Sequence, residues 1–352
     1  MDEEIRHPEW HGESDRNRGP KTQSDGSLDV ARVFARIASQ GRQKQFGWSA
    51  LDRLGLGFNP GELAIVAGPT GHGKSTARLN ILANWLGAPD LGEEVYVLYS
   101  HEIPQEAVAV KLLSILTRFH GSTGWSYHQV RNWAQTQNVP EGLHQQEIEQ
   151  AIRTLSRWQK NLIIHYQPSW NAIDIETSAR ELQRAGHRIG GIFVDYIQLV
   201  APPPGSYESL EHEVTATAKH LKRLGVDLSC PVIAAAQIGR EAADIAGWIP
   251  EGDIEDERVV RTIAKRRPQL HHLRQGGGEQ EADLVIGLLN YRADYIAALE
   301  ENDDNRQRLE AVGTSGQFDV AVIKNRYGVL GIAPLVLESH SGYVRDPGVF
   351  GR

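Results

Sequence analysis

The octet Gly68-Pro69-Thr70-Gly71-His72-Gly73-Lys74-Ser75 narrows the folds open to this chain more than any other stretch. An apolar run over 62–67 precedes it and predicts a strand, and an amphipathic pattern over 74–86 follows and predicts a helix. Strand, glycine-rich turn and helix in that order are the context that G-x-x-x-x-G-K-[ST] requires. Gly71 and Gly73 let backbone N–H groups turn inward onto phosphate oxygens, Lys74 reaches the outer phosphates, and the Ser75 hydroxyl ligates magnesium. The opening turn of the helix, through Thr76, adds its partial positive charge. A chance glycine-rich turn is the bland alternative, and the register of all three parts argues against it. The octet predicts a site for ATP with magnesium.

Apolar strands and amphipathic helices alternate through the rest of the chain. Strands are expected over 62–67, 95–100, 161–166, 191–197, 231–237, 283–289 and 318–324, and helices over 74–86, 104–118, 145–159, 174–186 and 208–225. Such alternation predicts an α/β fold with a largely parallel sheet flanked by helices on both faces. Residues 1–26 are polar and acidic without periodic apolar content, which predicts a disordered tail. From Ser27, a capping residue, Leu28, Val30, Val33, Phe34 and Ile37 recur at helical spacing until Gly41. A helix within 27–45 must bury that stripe, on its own domain or on a neighbouring subunit. The main domain is expected over 46–345, with a short tail over 346–352.

No run of about 18 apolar residues is present, so no membrane span is expected, and the acidic N-terminus lacks the pattern of a secretory signal. Cys230, the single cysteine, excludes an internal disulfide and fits a buried, inert thiol in a cytoplasmic protein. The net charge of -8 argues against coating nucleic acid with the whole surface, but leaves room for a local basic loop.

Further site residues are expected at strand ends. Asp195, closing Ile192-Phe193-Val194, has the form of a magnesium-orienting aspartate; a turn or capping residue is the alternative. Glu102 follows the strand over 95–100, expected beside the phosphate-loop strand, and suits a general base; a first-turn helix glutamate is the alternative. Gln237 stands where a γ-phosphate sensor would, or is a surface amide. His101 beside Glu102 suggests a local pH effect or a surface imidazole, and the pair His271-His272 lacks metal-ligand spacing. Between 258 and 274 lie Arg258, Arg261, Lys265, Arg266, Arg267 and Arg274 with no acidic residue, after an acidic block over 251–257. This is a solvated loop with two charge blocks, or a loop whose cations track single-stranded phosphates. The segment 201–208 is a second, cation-free candidate, and Tyr207 and Trp248 can stack on bases or simply pack.

Several segments, in order, resemble the RecA-like motor domain of DnaB-type replicative helicases. They are Phe46-Gly47-Trp48-Ser49-Ala50-Leu51-Asp52-Arg53-Leu54, Gly57-Phe58-Asn59-Pro60-Gly61-Glu62-Leu63, Ser100-His101-Glu102-Ile103 and Asp195-Tyr196-Ile197-Gln198-Leu199. The strand from Pro231 through Gln237 to Arg240 follows, then Arg267-Pro268-Gln269-Leu270, Leu273-Arg274, Glu279-Gln280-Glu281-Ala282-Asp283 and Lys324-Asn325-Arg326-Tyr327-Gly328. The likeness runs over about 27–345. It implies a RecA-like P-loop NTPase fold with a C-terminal β-hairpin extension, Glu102 as catalytic base, and Gln237 as sensor. It further implies a hexameric ring, with Lys324 and Arg326 acting in trans, Arg326 as arginine finger. The helix from Ser27 would be the linker helix docking on the adjacent subunit. Arg274 and Gly277 fit backbone contacts to DNA, although the stretch 273–278 is one residue shorter than the family's. The usual N-terminal collar domain is not expected, since only residues 1–45 precede the motor.

The function implied is that of a ring-forming DNA helicase, an ATP-driven translocase on single-stranded DNA with 5′-to-3′ polarity. Partners would be single-stranded DNA, other copies of the chain, and a loader or another protein of replication, defence, repair or mobile elements. The alternative is a KaiC- or RadA-like regulatory or recombination ATPase that assembles on DNA or protein without unwinding.

Overall fold

The computed structural model describes residues 30–39, 41–238, 252–273, 278–300, 312–313 and 315–348. The chain divides into two compact units, residues 1–40 and 41–352. Of the first, the structure describes one helix, α1 (Val30–Ser39), and Val30, Val33, Phe34 and Ile37 along it are exposed. The tail expected over 1–26, the cap expected at Ser27, and residues 349–352 lie outside the described residues.

The larger unit begins with a small ribbon, β1 (Lys44–Gln45) antiparallel to β2 (Gly57–Phe58), around a short helix α2 (Ser49–Asp52). Residues 44 and 45 therefore belong to this unit, ahead of the boundary expected at 46. The Asp52 carboxylate accepts from the N–H groups of Phe46 and Gly47 at 2.8 and 3.1 Å, and Asp346 accepts from Ser49 and Ala50 at 2.9 and 3.2 Å. Gly47 has φ 82°, and a Cβ there would stand 2.2 Å from Asn84 Nδ2, so only glycine fits. Phe46, Phe58, Trp85, Tyr96 and Phe193 then pack ring against ring, tilted or edge-on, into the core.

The remaining strands are β3 (Leu63–Gly68), β4 (Glu94–Ser100), β5 (Leu162–Tyr166), β6 (Arg188–Asp195), β7 (Val232–Gln237), β8 (Leu284–Asn290), β9 (Ser315–Asn325), β10 (Gly331–Glu338) and β11 (Tyr343–Arg345). They form one nine-stranded sheet in the order β11-β10-β9-β8-β3-β7-β6-β4-β5. β8 through β5 run parallel; β9, β10 and β11 add an antiparallel hairpin and edge. The expected α/β sheet and C-terminal hairpin are both present.

One expectation fails. β4 does not neighbour β3, because β7 and β6 stand between them. A crossover can carry the chain past strand positions that later segments fill, and hydropathy along a strand does not record its neighbour.

Helices α3 (Lys74–Leu86), α4 (Gln105–His120), α5 (Tyr127–Thr136) and α6 (Gln145–Trp158) follow β3 and β4 in the chain; α7 (Ala172–Arg184) and α8 (Leu210–Leu228) follow β5 and β6. Alternate β3 residues enter two cores: Ala64 and Val66 pack with Leu79, Leu82 and Leu112, while Leu63, Ile65 and Ala67 pack with Ile175, Leu221 and Leu224. Both faces are thus covered, as a parallel sheet requires. Cys230 sits in the second core, where burial pushes its thiol up to about 12. Two further helices, α9 (Glu257–Ala264) and α10 (Tyr291–Glu300), pack through Val259, Ile263, Tyr291 and Tyr295 into a satellite cluster.

The hairpin is fastened by Glu338, which accepts from Arg118 Nε and Nη2 and from Arg345 Nε. Burial pushes its carboxyl up, but the hydrogen bonds and charges of Arg118 and Arg345 outweigh that and hold it below its usual 4.5. Its contribution to stability is therefore complete above pH 4.5 and lost as pH falls through the lower folded-state value. Glu338→Gln is expected to lower stability at pH 7, with the gap from wild type closing below about pH 4.5; urea unfolding at stepped pH measures it, and a pH-independent gap would contradict the assignment.

Candidate active site

The sheet order brings four functional strand ends together. β3, β7, β6 and β4 are successive and parallel, so their C-terminal ends open on the same edge. Gly68 at the end of β3 is in register with Gln237 at the end of β7, and Asp195 at the end of β6 with Ser100 at the end of β4. Crevices beyond such carboxyl ends are where open parallel sheets take ligands.

The loop from Gly68 to Ser75 holds its shape through Gly71 at φ 83° and Gly73 at φ 78°, the latter preceding α3. Lys74 Nζ donates to the carbonyls of Gly68 and Pro69, both at 2.9 Å. Burial pushes its ammonium down to about 8, against the pull of the Asp195 and Glu102 carboxylates. Thr70 Oγ1 accepts from Gln237 Nε2 at 2.8 Å, and the Gln237 backbone exchanges bonds with the Gln198 side chain. Thr76 begins the helix interior, its carbonyl accepting from Asn80.

His72 is buried within this loop. Its Nδ1 accepts from the Asn290 N–H at 3.2 Å, which leaves the proton on Nε2, 3.3 Å from Asp294 Oδ1. Asp294 in turn pairs with Arg266, whose Nε is 3.3 Å from Oδ2. The loop is thereby tied to α10 and to the turn after α9.

Ser75 Oγ donates to Asp195 Oδ2 at 3.2 Å. A hydroxyl in the first turn of α3 and a carboxylate at the end of β6 are oxygen donors of the kind magnesium takes, so these residues fit the ion the motif implies. Sequence reasoning missed Arg78. It is 1% exposed, and its guanidinium contacts Asp195 Oδ2 at 2.6 Å and the Val194 carbonyl at 2.6 Å. The available signal was its spacing, one helical turn beyond Lys74 on the side facing the sheet.

Glu102 is exposed just past β4, near enough that its charge opposes the burial that lowers Lys74 and adds to the burial that raises Tyr196. Its neighbour His101 is not the surface imidazole that was one expectation. It is 5% exposed, its N–H donates to the Asp195 carbonyl, and Nε2 donates to the Trp170 carbonyl at 3.2 Å. Burial lowers its pKa below 6.5, so it is neutral at pH 7.

Lys324 and Arg326 lie elsewhere. Lys324 Nζ donates to the carbonyls of Glu279 and Gln280, and Arg326 Nη1 to Asp283 Oδ1 at 2.9 Å. Asp283 in turn accepts from the N–H of Leu63, the first residue of β3. Both cations therefore sit at the opposite end of β3 from the phosphate loop, roughly 17 Å away at strand rise.

The basic segment divides. Arg258, Arg261 and Lys265 fall within about 60° of one another around α9 and are exposed, opposite Val259 and Ile263. Arg261 pairs with Glu257, itself exposed. Arg266 and Arg267 do not share this exposure: Arg266 meets Asp294, and Arg267 bonds Asp319 at 2.5 Å and the Tyr291 hydroxyl at 3.1 Å. Buried carboxylates demand such partners, so these contacts do not support the phosphate-tracking role expected of the two arginines. Arg274, Gly277, Arg240 and Trp248 lie outside the described residues. Tyr207 donates to the Pro203 carbonyl within its own loop.

Arg78→Met would leave the Asp195 carboxylate, 3% exposed, without its guanidinium. A loss of about 3–5 kcal/mol is expected, as for a broken buried pair; denaturant unfolding checks it, and a change under about 1 kcal/mol would show the pair to be dispensable.

The sequence model of the DnaB-like helicase C-terminal domain matches residues 45–251. Replicative DNA helicase DnaB of Pasteurella multocida is 26% identical over 288 residues, 81% of this chain and 51% of that protein. DnaB of Geobacillus stearothermophilus is 27% identical over 285 residues, 79% of this chain and 54% of that protein. The chain spans about half the length of the curated relatives it matches. Among solved structures, an isolated ATPase domain superposes with a TM-score of 0.67 at 20% identity, covering 92% of this chain and 99% of that one. A DnaB-like replicative helicase studied with primase gives 0.65 at 19% identity, covering 92% and 68%. Those structural likenesses bear on the fold, and the family match, over more than half of the chain, bears on descent: this chain belongs to the DnaB-like helicase C-terminal domain family.

Proposed function

We propose that this chain is an ATP-driven DNA helicase motor, a translocase on single-stranded DNA that hydrolyses ATP between subunits of a ring. The observation that carries the proposal is the division of the site. Lys74, Ser75, Gln237, Asp195 and Glu102 gather at one end of the sheet, while Lys324 and Arg326 stand at the other end of β3. Phosphoryl transfer gains most of its rate from cations placed around the transferring group, and an arginine from a second copy is one established source. Bound ATP and magnesium supply the phosphoryl group and its charge neutralisation. Ser75 and Asp195 hold the magnesium side, Lys74 the outer phosphates, and Gln237 senses the γ-phosphate through its contact with the loop. Glu102, exposed on the same edge, takes the proton of the attacking water. The neighbour's Arg326, with Lys324, balances charge developing on the phosphoryl oxygens. Six copies in the ring and 5′-to-3′ movement are part of this reading, supported by the likeness to DnaB-type helicases. So is docking of α1 on an adjacent copy, for which its exposed stripe of Val30, Val33, Phe34 and Ile37 is suited.

The stripe of Arg258, Arg261 and Lys265 supports a path for single-stranded phosphates, since these side chains are exposed and the pair that Arg261 makes is a weak surface one. Replacing all three by Gln is expected to weaken binding to an unstructured oligonucleotide. The slope of log affinity against log salt should fall by about 2. An unchanged affinity would move the DNA path away from α9.

Forked-duplex unwinding with ATP and magnesium tests the proposal as a whole. Activity abolished by Lys74→Ala, and by Arg326→Ala with nucleotide binding retained, is the expected result. DNA-stimulated hydrolysis without strand separation would instead favour an assembly ATPase of the KaiC or RadA kind. Turnover unaffected by Arg326→Ala would remove the finger.

A further inference from the structure

Asp283 immediately precedes β8 and is 2% exposed, yet it gathers contacts from β3, α8 and the residue that follows β9. Its N–H donates to the Leu63 carbonyl at 2.8 Å, and its Oδ2 accepts from the Leu63 N–H at 3.1 Å, which pins the start of β3. Its Oδ1 accepts from Lys222 Nζ on α8 at 2.8 Å and from Arg326 Nη1 at 2.9 Å. Its carbonyl accepts from the Arg326 N–H at 2.8 Å. Arg326 is thus held at both backbone and side chain by one residue, while its side chain remains 40% exposed.

This is more than charge bookkeeping for a buried carboxylate. Lys222 already gives Oδ1 a cation, and a partly exposed arginine adds little stability. What the bond to Arg326 does is remove freedom from a side chain that otherwise loses considerable rotamer entropy when fixed. It uses one of five guanidinium N–H donors and leaves the remainder of the fork to meet an incoming anion. Prior fixing of a charged group is worth most where charge develops only in the transition state. We propose that Asp283 is the positioning residue of Arg326, presenting its guanidinium in the orientation that a neighbouring copy's phosphoryl group requires. The proposal rests on the assignment of Arg326 as a finger acting in trans.

Subunit mixing with the full chain tests it. Asp283→Asn is expected to lower kcat at least about tenfold, toward the Arg326→Ala value, with KM for ATP within about threefold of wild type. Mixed with Lys74→Ala copies, which keep finger and carboxylate but lack a working phosphate loop, Asp283→Asn should recover turnover above the sum of the separate proteins. Arg326→Ala mixed with Lys74→Ala should do the same. Recovery with Arg326→Ala but not with Asp283→Asn would overturn the proposal, because Asp283 would then act on its own chain's site through Leu63. Failure of both mixtures would remove the trans finger itself. Lys222→Gln disturbs the same oxygen but spares Arg326, so its kcat should stay within about twofold; a loss equal to that of Asp283→Asn would make the cluster structural only. Should Asp283→Asn not fold, Asp283→Glu keeps the charge but shifts the guanidinium. The same kcat loss and the same recovery on mixing are expected of it, and wild-type turnover would overturn the proposal.

Discussion

β3 is hydrogen-bonded along both edges, to β7 on one side and β8 on the other, and the placement of every functional group follows from those two ladders. The ladder to β7 sets Gln237 level with Gly68, so that an amide meets the loop at Thr70. Through β7 the sheet extends to β6 and β4, which bring Asp195 and Glu102 to the same edge. The ladder to β8 works at the far end, where Asp283 closes on Leu63 and holds Arg326. Parallel strands make this possible because all their C-terminal ends, and all their N-terminal ends, lie together. A central strand bonded on both edges is also hard to slip, since a one-residue shift would turn Leu63, Ile65 and Ala67 out of their core.

Charge inside the molecule is handled in pairs that also fix geometry. Arg78 holds Asp195 beside Ser75, Arg266 holds Asp294 behind His72, and Arg267 holds Asp319 beside Tyr291. Each carboxylate is buried, and each would be costly alone. The Tyr291 hydroxyl is pushed up by burial and by Asp319, to which it donates at 2.7 Å. Of these, the Arg266–Asp294 pair joins the phosphate loop, through His72, to the turn after α9. The loop's shape and the seat of the basic stripe therefore share one electrostatic frame.

Much of this was legible in the sequence, for reasons that differ by residue. The phosphate loop could be read because its glycines, lysine and serine each have a local backbone reason to be there. The helix beginning at Lys74 was placed to the residue, since the loop itself sets its start. α7 begins at Ala172, earlier than expected, because Asn171 and Asp174 form a reciprocal capping box. The same box at Ser126 and Gln129 starts α5, which hydropathy alone concealed: its polar surface outweighs the single buried Val130. α10 escaped notice because its apolar residues run on directly from β8. Which strand neighbours which, and which arginine meets a buried carboxylate, depend on contacts distant in the chain. Arg266 and Arg267 look like Arg258 and Arg261 until Asp294 and Asp319 are placed beside them.

The polarity of β3 has a counting consequence. One chain offers a phosphate loop at one end of that strand and, on the proposed assignment, a finger for someone else's loop at the other. Two such surfaces pair head to tail, never face to face, and head-to-tail contacts generate rings or open helices. An open run of copies always wastes its two terminal halves, so it holds one complete site fewer than it has members. Closing the ring completes that last site without adding a subunit. On that assignment, turnover per chain rises with the length of the run, and closure switches on one further site.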